Sequence, residues 1–75
     1  MKFVEFNKRE YHNSGYYSIG ILVSISDIAR IVERIDDFSC TNIVTKDGKI
    51  HTLNERYADV VKKIREAEGT EEVSE

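Results

Sequence analysis

Two histidines and one cysteine are the side chains of this sequence best suited to bond-making chemistry: His12, Cys40 and His51. A catalytic histidine needs a carboxylate that orients it and a nucleophile or substrate within hydrogen-bond reach. His12 falls in a polar segment and His51 lies among apolar neighbours, and no spacing places such partners around either. We therefore interpret both histidines as non-catalytic, with His51 exposed or paired across neighbouring strands.

Cys40 lies in an acidic stretch, after Asp36, Asp37 and Ser39. A reactive thiol needs electropositive surroundings that lower its pKa, so this context favours a small, buried, apolar role for the cysteine. The sequence has no Cys-x-x-Cys or His-x-x-x-His spacing, which argues against a zinc site. We predict no catalytic residue, no metal site and no cofactor, and we do not expect an enzyme.

A cluster of tyrosines beside two cations is the best candidate for a binding surface. The tyrosines flank a turn-forming Asn-Ser-Gly segment, and Tyr and Arg are enriched where proteins bind each other. Aromatic rings beside cations also suit single-stranded nucleic acid, whose bases stack on them. The plainer alternative is a hairpin loop whose tyrosines cover a sheet edge. The candidate partner-binding residues are Lys8, Arg9, Tyr11, Tyr16 and Tyr17.

The charge of the chain argues against nucleic acid as the partner. The net charge is −3, but Glu71, Glu72 and Glu75 lie within the last seven residues. The rest of the chain is balanced, so it creates no field that attracts phosphates. We expect residues 69–75 to be an acidic, flexible tail that aids solubility.

The length of 75 residues predicts one domain, which we place at residues 1–68. A core of this size usually leaves only about 3–5 kcal/mol of net stability. One cysteine excludes an internal disulfide, so we expect the chain to be a homo-oligomer.

The composition predicts a cytoplasmic protein that does not insert into membranes. A lone cysteine fits a reducing compartment, and no segment approaches the roughly 20 apolar residues that span a bilayer. The N-terminus is too short and too polar to be read as a secretory signal.

The spacing of hydrophobic residues indicates the secondary structure: an alternating pattern predicts strands, and a helical pattern predicts a helix near the C-terminus. Residues 2–6 and 16–26 have strand character, and residues 7–15 are a polar segment with turn formers. Asp47-Gly48 predicts a type I′ turn that joins strands 41–45 and 49–53 and places Thr45 opposite Ile50. The faces of this hairpin would then both carry apolar residues, with Val44 and Leu53 on the reverse face.

The last element is an amphipathic helix over residues 54–68. Asn54 is a suitable N-cap, and Gly69 can end the helix in the left-handed conformation. Its apolar stripe, which we expect to pack on the sheet with Val61 at its centre, consists of Tyr57, Val60, Val61 and Ile64.

Residues 26–35 fit two structures. Ile28, Ile31, Val32 and Ile35 have helical spacing, yet the segment is short and rich in β-branched residues. The first possible structure is therefore a short helix. The second is a single turn at residues 26–28 followed by a strand at residues 29–35.

Several of these features resemble the small flagellar and swarming-motility family called FlbD, over about residues 28–64. The C-terminal part of that family's sequences is similar to Asp47-Gly48-Lys49 followed by Glu55, Val60 and Lys63-Ile64. Its Thr-x-Ile strand is similar to Thr41 and Ile43. Other small bacterial and phage proteins share the same strand–turn–strand–helix pattern. The resemblance favours the strand for residues 29–35, and it implies no catalytic residue.

Together these patterns predict the α+β class: a small antiparallel sheet, or an SH3-like barrel, of four to five strands with one C-terminal amphipathic helix. Three functions are compatible with it. The first is a non-catalytic protein–protein interaction module that associates with itself and binds an unidentified protein partner. The second is a phage or mobile-element inhibitor that occludes a host enzyme or sequesters a ligand, and the third is a small β-barrel that binds single-stranded nucleic acid.

Overall fold

The computed structural model describes residues 2–69. In this range the chain forms one antiparallel sheet with the strand order β2-β1-β5-β4-β3, followed by a helix. No ladder joins β2 to β3 within these residues, so the sheet is open. The predicted α+β class, a small antiparallel sheet with one C-terminal helix, is confirmed. The elements are β1 (Phe3–His12), β2 (Gly15–Ser24), a 3-10 turn (Ile25–Asp27), β3 (Ile28–Glu33), β4 (Thr41–Thr45), β5 (Ile50–Leu53) and α1 (Tyr57–Glu68).

The hairpin of β1 and β2 is longer than the sequence indicates. The strands pair without a register shift from Phe3 opposite Ser24 to His12 opposite Gly15. Asn13, with φ of 57°, begins the two-residue connection between them. The prediction of a polar connecting segment at residues 7–15 is therefore wrong for most of its length. Cross-strand side-chain pairing outweighs the weak strand preference of this polar stretch.

The β4–β5 hairpin differs from the prediction by one residue of register. Val44 lies opposite Ile50, where Thr45 was expected. The loop therefore contains residues 46–48 rather than two residues. A slip of one residue moves every side chain of a strand to the other face, and it brings Leu53 into the core.

The turn itself explains this register. The Gly48 amide donates to the Thr45 carbonyl at 2.8 Å, and Gly48 has φ of 89°. Asp47 Oδ1 accepts hydrogen bonds from Thr45 Oγ1 at 2.5 Å and from the Lys49 amide at 3.1 Å. A turn followed by a glycine in the left-handed region is the common three-residue hairpin loop. The type I′ prediction is wrong because the aspartate bonds its own turn and only the glycine takes a positive φ.

The ambiguous segment forms a turn and then a strand. A 3-10 turn covers Ile25–Asp27, and β3 follows directly, ending at Glu33. The turn-then-strand reading is confirmed, although it is shorter than expected at its end. A register shift between Ile28 and Arg30 marks a β-bulge that bends the strand.

The core lies between one face of the sheet and α1. Burial of each large apolar side chain stabilises the fold by about 1.5–3 kcal/mol before entropy costs. Partly buried residues from β2, β3 and α1 pack around the fully enclosed ones, and the helix closes the layer. The buried cluster consists of Val4, Phe6, Ile43, Leu53 and Val60.

Helix α1 begins later than predicted and ends where predicted. It begins at Tyr57, and Arg56 occupies the N-cap position without a side-chain cap, so the assignment of Asn54 as N-cap is wrong. Gly69 ends the helix in the left-handed conformation with φ of 76°. Within residues 2–69, no helix has both the length and the apolar character that crossing a membrane requires. The predicted acidic tail lies outside the described residues, apart from Gly69.

The buried line of the helix is offset from the predicted stripe. Val60 is fully buried, and Ile64 and Ala67 pack against the same core. Val61 lies on the flank, where it lines a shallow depression together with Tyr57. The centre of the buried stripe is therefore Val60 and not Val61.

Candidate functional site

The far end of the β1–β2 hairpin projects from the body of the sheet. Within residues 2–69, β1 pairs with β5 only where Lys8 lies opposite Leu53, so the strand residues of β1 and β2 beyond this point pair only with each other. All three hairpin tyrosines are more than half exposed: Tyr11, Tyr16 and Tyr17.

Strand alternation divides the five candidate residues between two faces of the hairpin. Tyr11 lies opposite Tyr16, and Arg9 lies on the same face beside them. Lys8 and Tyr17 lie on the other face, which continues into the core-facing side of the sheet. We call Arg9, Tyr11 and Tyr16 the tyrosine surface.

The side chains of the tyrosine surface contact each other in favourable geometries. The rings of Tyr11 and Tyr16 are 5.1 Å apart in an edge-to-face arrangement with an interplanar angle of 66°. The guanidinium carbon of Arg9 lies 5.1 Å from the centre of the Tyr16 ring. Edge-to-face pairs and cation–π contacts both stabilise defined ring positions. The three side chains therefore hold one another in a defined arrangement.

Arg9 connects the tyrosine surface to the body of the protein through two side-chain hydrogen bonds. Its Nη1 donates to Asp37 Oδ2 at 3.1 Å, and its Nη2 donates to Asn54 Oδ1 at 3.2 Å. The Arg9 side chain retains only 25% of its exposure. Its guanidinium is thus occupied by intramolecular bonds, and Arg9 positions Tyr16 more than it offers a free cation.

Asp37 is held as a carboxylate by several donors. Ser39 donates to Oδ1 through its hydroxyl at 2.5 Å and its amide at 3.1 Å. These hydrogen bonds, together with the one from Arg9, lower the pKa of Asp37 from 3.8 to about 2. The anchor of the tyrosine surface is therefore charged throughout the physiological range.

The other face of the hairpin offers a looser arrangement. Lys8 Nζ lies 3.5 Å from a carboxylate oxygen of Glu10, and the His12 and Tyr17 rings are tilted with centres 6.0 Å apart. Among residues 2–69, no ring, cation–π or ion-pair contact links these pairs to Arg9 or its aromatic neighbours. The structure therefore separates Lys8 and Tyr17 from the other three candidates.

A groove of about 490 Å³ lies between β2 and the β4–β5 turn. His51 lines it, half-buried and opposite Ile43, which confirms the cross-strand interpretation of this histidine. Cys40 is buried, as predicted, and does not line the groove. In residues 2–69, no group of three histidine, cysteine or acidic side chains is placed to hold a metal ion.

Three polar residues with structural roles in this region were missed at the level of sequence. Asp37 and Asn54 hold Arg9, and Glu55 accepts the Asn7 amide at 2.7 Å and Lys63 Nζ at 2.8 Å. The Asp-x-Ser spacing indicates a local turn around Asp37. No local signal indicates the long-range bonds, because their partners lie 28 to 48 residues away.

Known proteins provide no guide to the function of this site. No family model, curated protein or solved structure matches this chain. The resemblance of residues 28–64 to the FlbD family therefore stays a prediction, and so does any role in motility.

Proposed function

We propose that this chain is a non-catalytic protein–protein interaction module that binds a protein partner through the tyrosine surface and also associates with itself. One observation carries the proposal. Tyr11 and Tyr16 are exposed at the end of a projecting hairpin, yet they are fixed by each other and by Arg9.

Fixed aromatic side chains are well suited to recognition. A tyrosine offers a large amphipathic contact area with few rotatable bonds, so little conformational entropy is lost on binding. The edge-to-face contact and the anchored Arg9 reduce that loss further, and preorganisation of this kind raises affinity. The surface therefore favours a protein partner with an apolar patch and hydrogen-bond acceptors for the tyrosine hydroxyls.

The single-stranded nucleic-acid alternative receives less support. Stacking of bases would use the same rings, but phosphate binding needs cations that are free to release their counterions. Of the two nearby cations, Arg9 is bonded to Asp37 and Lys8 lies beside Glu10 on the other face. The inhibitor alternative, in which the chain occludes a host enzyme or sequesters a ligand, would use the same recognition surface. We place the module in the cytoplasm, because its one cysteine is a buried free thiol.

Affinity capture from the native host tests the proposal. The bait is the full chain, and the test variant carries Tyr11→Ala together with Tyr16→Ala. The matched control is Tyr57→Ala, which removes a partly exposed tyrosine from the helix. We expect a specific protein to be retained by the wild type and the control and lost by the test variant. Equal retention by all three baits would contradict the assignment of the tyrosine surface.

The identity of the captured protein separates the two protein-binding functions. If it is an enzyme that loses activity on binding, the chain is an inhibitor. A salt titration with a labelled single-stranded oligonucleotide addresses the third function. Binding at low ionic strength that weakens with salt and is lost in the double variant would replace the proposal with nucleic-acid recognition.

A further inference from the structure

The edge strand β2 lacks the features by which proteins usually protect such an edge. It is ten residues long and is the outermost strand of the sheet, and among the described residues only β1 pairs with it. No charged residue and no proline occur from residue 15 to residue 26, although a third of the whole chain is charged. In an antiparallel pair, the amides and carbonyls of alternate residues point away from the partner strand. The outer side of β2 is therefore an uncharged template for another strand.

The opposite edge of the same sheet is protected. β3 has six residues, contains Arg30 and Glu33, and is interrupted by a bulge after Ile28. Arg34 follows it and pairs with Asp36. Short length, charge and bulges are the devices that prevent edge-to-edge pairing. Because one edge has these devices and the other lacks them, β2 is the edge that is suited to binding another strand.

We infer that β2 binds β2 of a second copy of this chain, antiparallel and about a two-fold axis near Ile19. The two five-stranded sheets would then form one continuous sheet. This inference deepens the proposed function, since it rests on self-association and assigns the surface responsible for it.

The sequence of β2 is complementary to itself in this arrangement. An axis at Ile19 places Tyr17 opposite Ile21 of the partner subunit, and Tyr16 opposite Leu22 of the partner subunit. Aromatic residues opposite aliphatic ones are among the stabilising cross-strand pairs. Leu22 is 66% exposed in the single chain and Ile19 is 42% exposed, so both have apolar surface to bury.

The absence of charge specifically favours a second copy. A two-fold axis brings residues near the axis close to their own counterparts, so any charge there would face a like charge and destabilise the pair. β2 has none. The small core of the chain also gains from a partner that buries further apolar area.

Sedimentation velocity with paired variants tests this arrangement. Leu22→Lys places a cation on β2 beside the proposed interface. Val32→Lys is the matched control, because it places the same cation at a partly exposed position of the protected edge. We expect the wild type and Val32→Lys to sediment as dimers at high micromolar concentration. We expect Leu22→Lys to be monomeric, with dimer affinity reduced by at least about tenfold, while its circular dichroism spectrum is retained.

A cysteine scan provides a second readout that does not depend on weakening the dimer. Single cysteines are introduced at positions 17–21, and the buried native Cys40 is left in place. In an isologous antiparallel pair, only the residue at the axis lies opposite itself. We therefore expect disulfide cross-linking under mild oxidation to be greatest for Ile19→Cys and to fall on both sides.

The outcomes separate this inference from the proposed function. A wild-type dimer that no cysteine in this range cross-links, and that Leu22→Lys does not dissociate, would overturn the role of β2 while self-association stands. A wild type that is monomeric at high micromolar concentration would overturn both the pairing and the self-association. The capture result for the tyrosine surface would be unaffected. An open series of larger species would also overturn the inference, because a two-fold pairing stops at two copies.

Discussion

The body of the protein and the far end of its first hairpin are ordered by different means. In the body, Phe6, Leu53 and Val60 have no exposed surface, and sheet and helix enclose them. At the end of the hairpin, Tyr11 and Tyr16 are about two-thirds exposed, and no third strand or helix in the described part of the chain covers them. Order there depends on ring contacts and polar bonds instead of burial.

This contrast separates the sources of stability and of recognition along the same two strands. Burial of apolar area is the largest favourable term in folding, so the body determines whether the chain folds. The tyrosine surface leaves its apolar area exposed and available to a partner. Arg9 links the two regions, since it contacts Tyr16 on one side and Asp37 on the other. The following changes test whether the two regions are as separate as the structure indicates.

The largest effect is expected in the body, for Val60→Asp. A carboxylate at this fully buried position would be unpaired, and its cost would exceed the roughly 3–5 kcal/mol that a core of this size supplies. We expect no cooperative thermal transition by circular dichroism. Val61→Asp, one residue further along the helix and half-buried on the flank, is the control and should still melt cooperatively. Equal loss of structure in both variants would show that Val61 is as deeply buried against the sheet as Val60.

The helix shows how much of the fold could be predicted from the sequence. The helical spacing of apolar residues from Tyr57 to Ile64 and the glycine at the helix end are local signals, and they predict the helix and its end. The sequence does not show that Val60 and not Val61 faces the core. That choice depends on how the helix is rotated against β1 and β3, which no local pattern encodes.

In the hairpins too, local sequence predicts the turn and the candidate residues but not the register or the long-range contacts. Asp47-Gly48 predicts a turn correctly, but the register depends on the bond from Thr45 Oγ1 to Asp47. The tyrosines are recognisable as a candidate surface by type and spacing alone. The anchoring of Arg9 by Asp37 and Asn54 is a long-range contact, and such contacts follow only from the completed sheet.

A smaller effect is expected at the junction of the body and the hairpin, for Glu55→Ala. The carboxylate of Glu55 is only 9% exposed and joins the Asn7 amide to Lys63. Its removal deletes a charge-assisted hydrogen bond to a backbone donor of β1 and the ion pair with Lys63. Because water can reach the Asn7 amide, we expect the two losses together to cost about 1–2 kcal/mol. We expect the midpoint of urea unfolding to fall. Glu66→Ala, at an exposed position of the same helix, should change the midpoint little, and a similar decrease in both would contradict the role of Glu55.

A still smaller effect on stability is expected for Tyr16→Ala on the tyrosine surface. An edge-to-face aromatic pair contributes about 0.5–1.5 kcal/mol beyond area burial. We expect the free energy of unfolding to fall by no more than this, while partner capture is lost. A loss of stability as large as that of a core substitution would show that the hairpin end belongs to the folding unit of the body, and the separation of the two regions would be wrong.

The smallest effect is a pH dependence confined to the hairpin. The pKa of Asp37 is lowered from 3.8 to about 2, so its carboxylate favours the folded arrangement above pH 3.8 and loses this contribution as the pH falls toward 2. We expect the ring signals of Tyr16 in NMR spectra to shift in this window, because protonated Asp37 releases Arg9. Asp37→Asn should remove this dependence. Asp47→Asn is the control, since hydrogen bonds in the β4–β5 turn also lower the pKa of Asp47 but leave Tyr16 untouched. If Asp47→Asn removes the shift and Asp37→Asn does not, the anchor of the tyrosine surface is wrongly assigned.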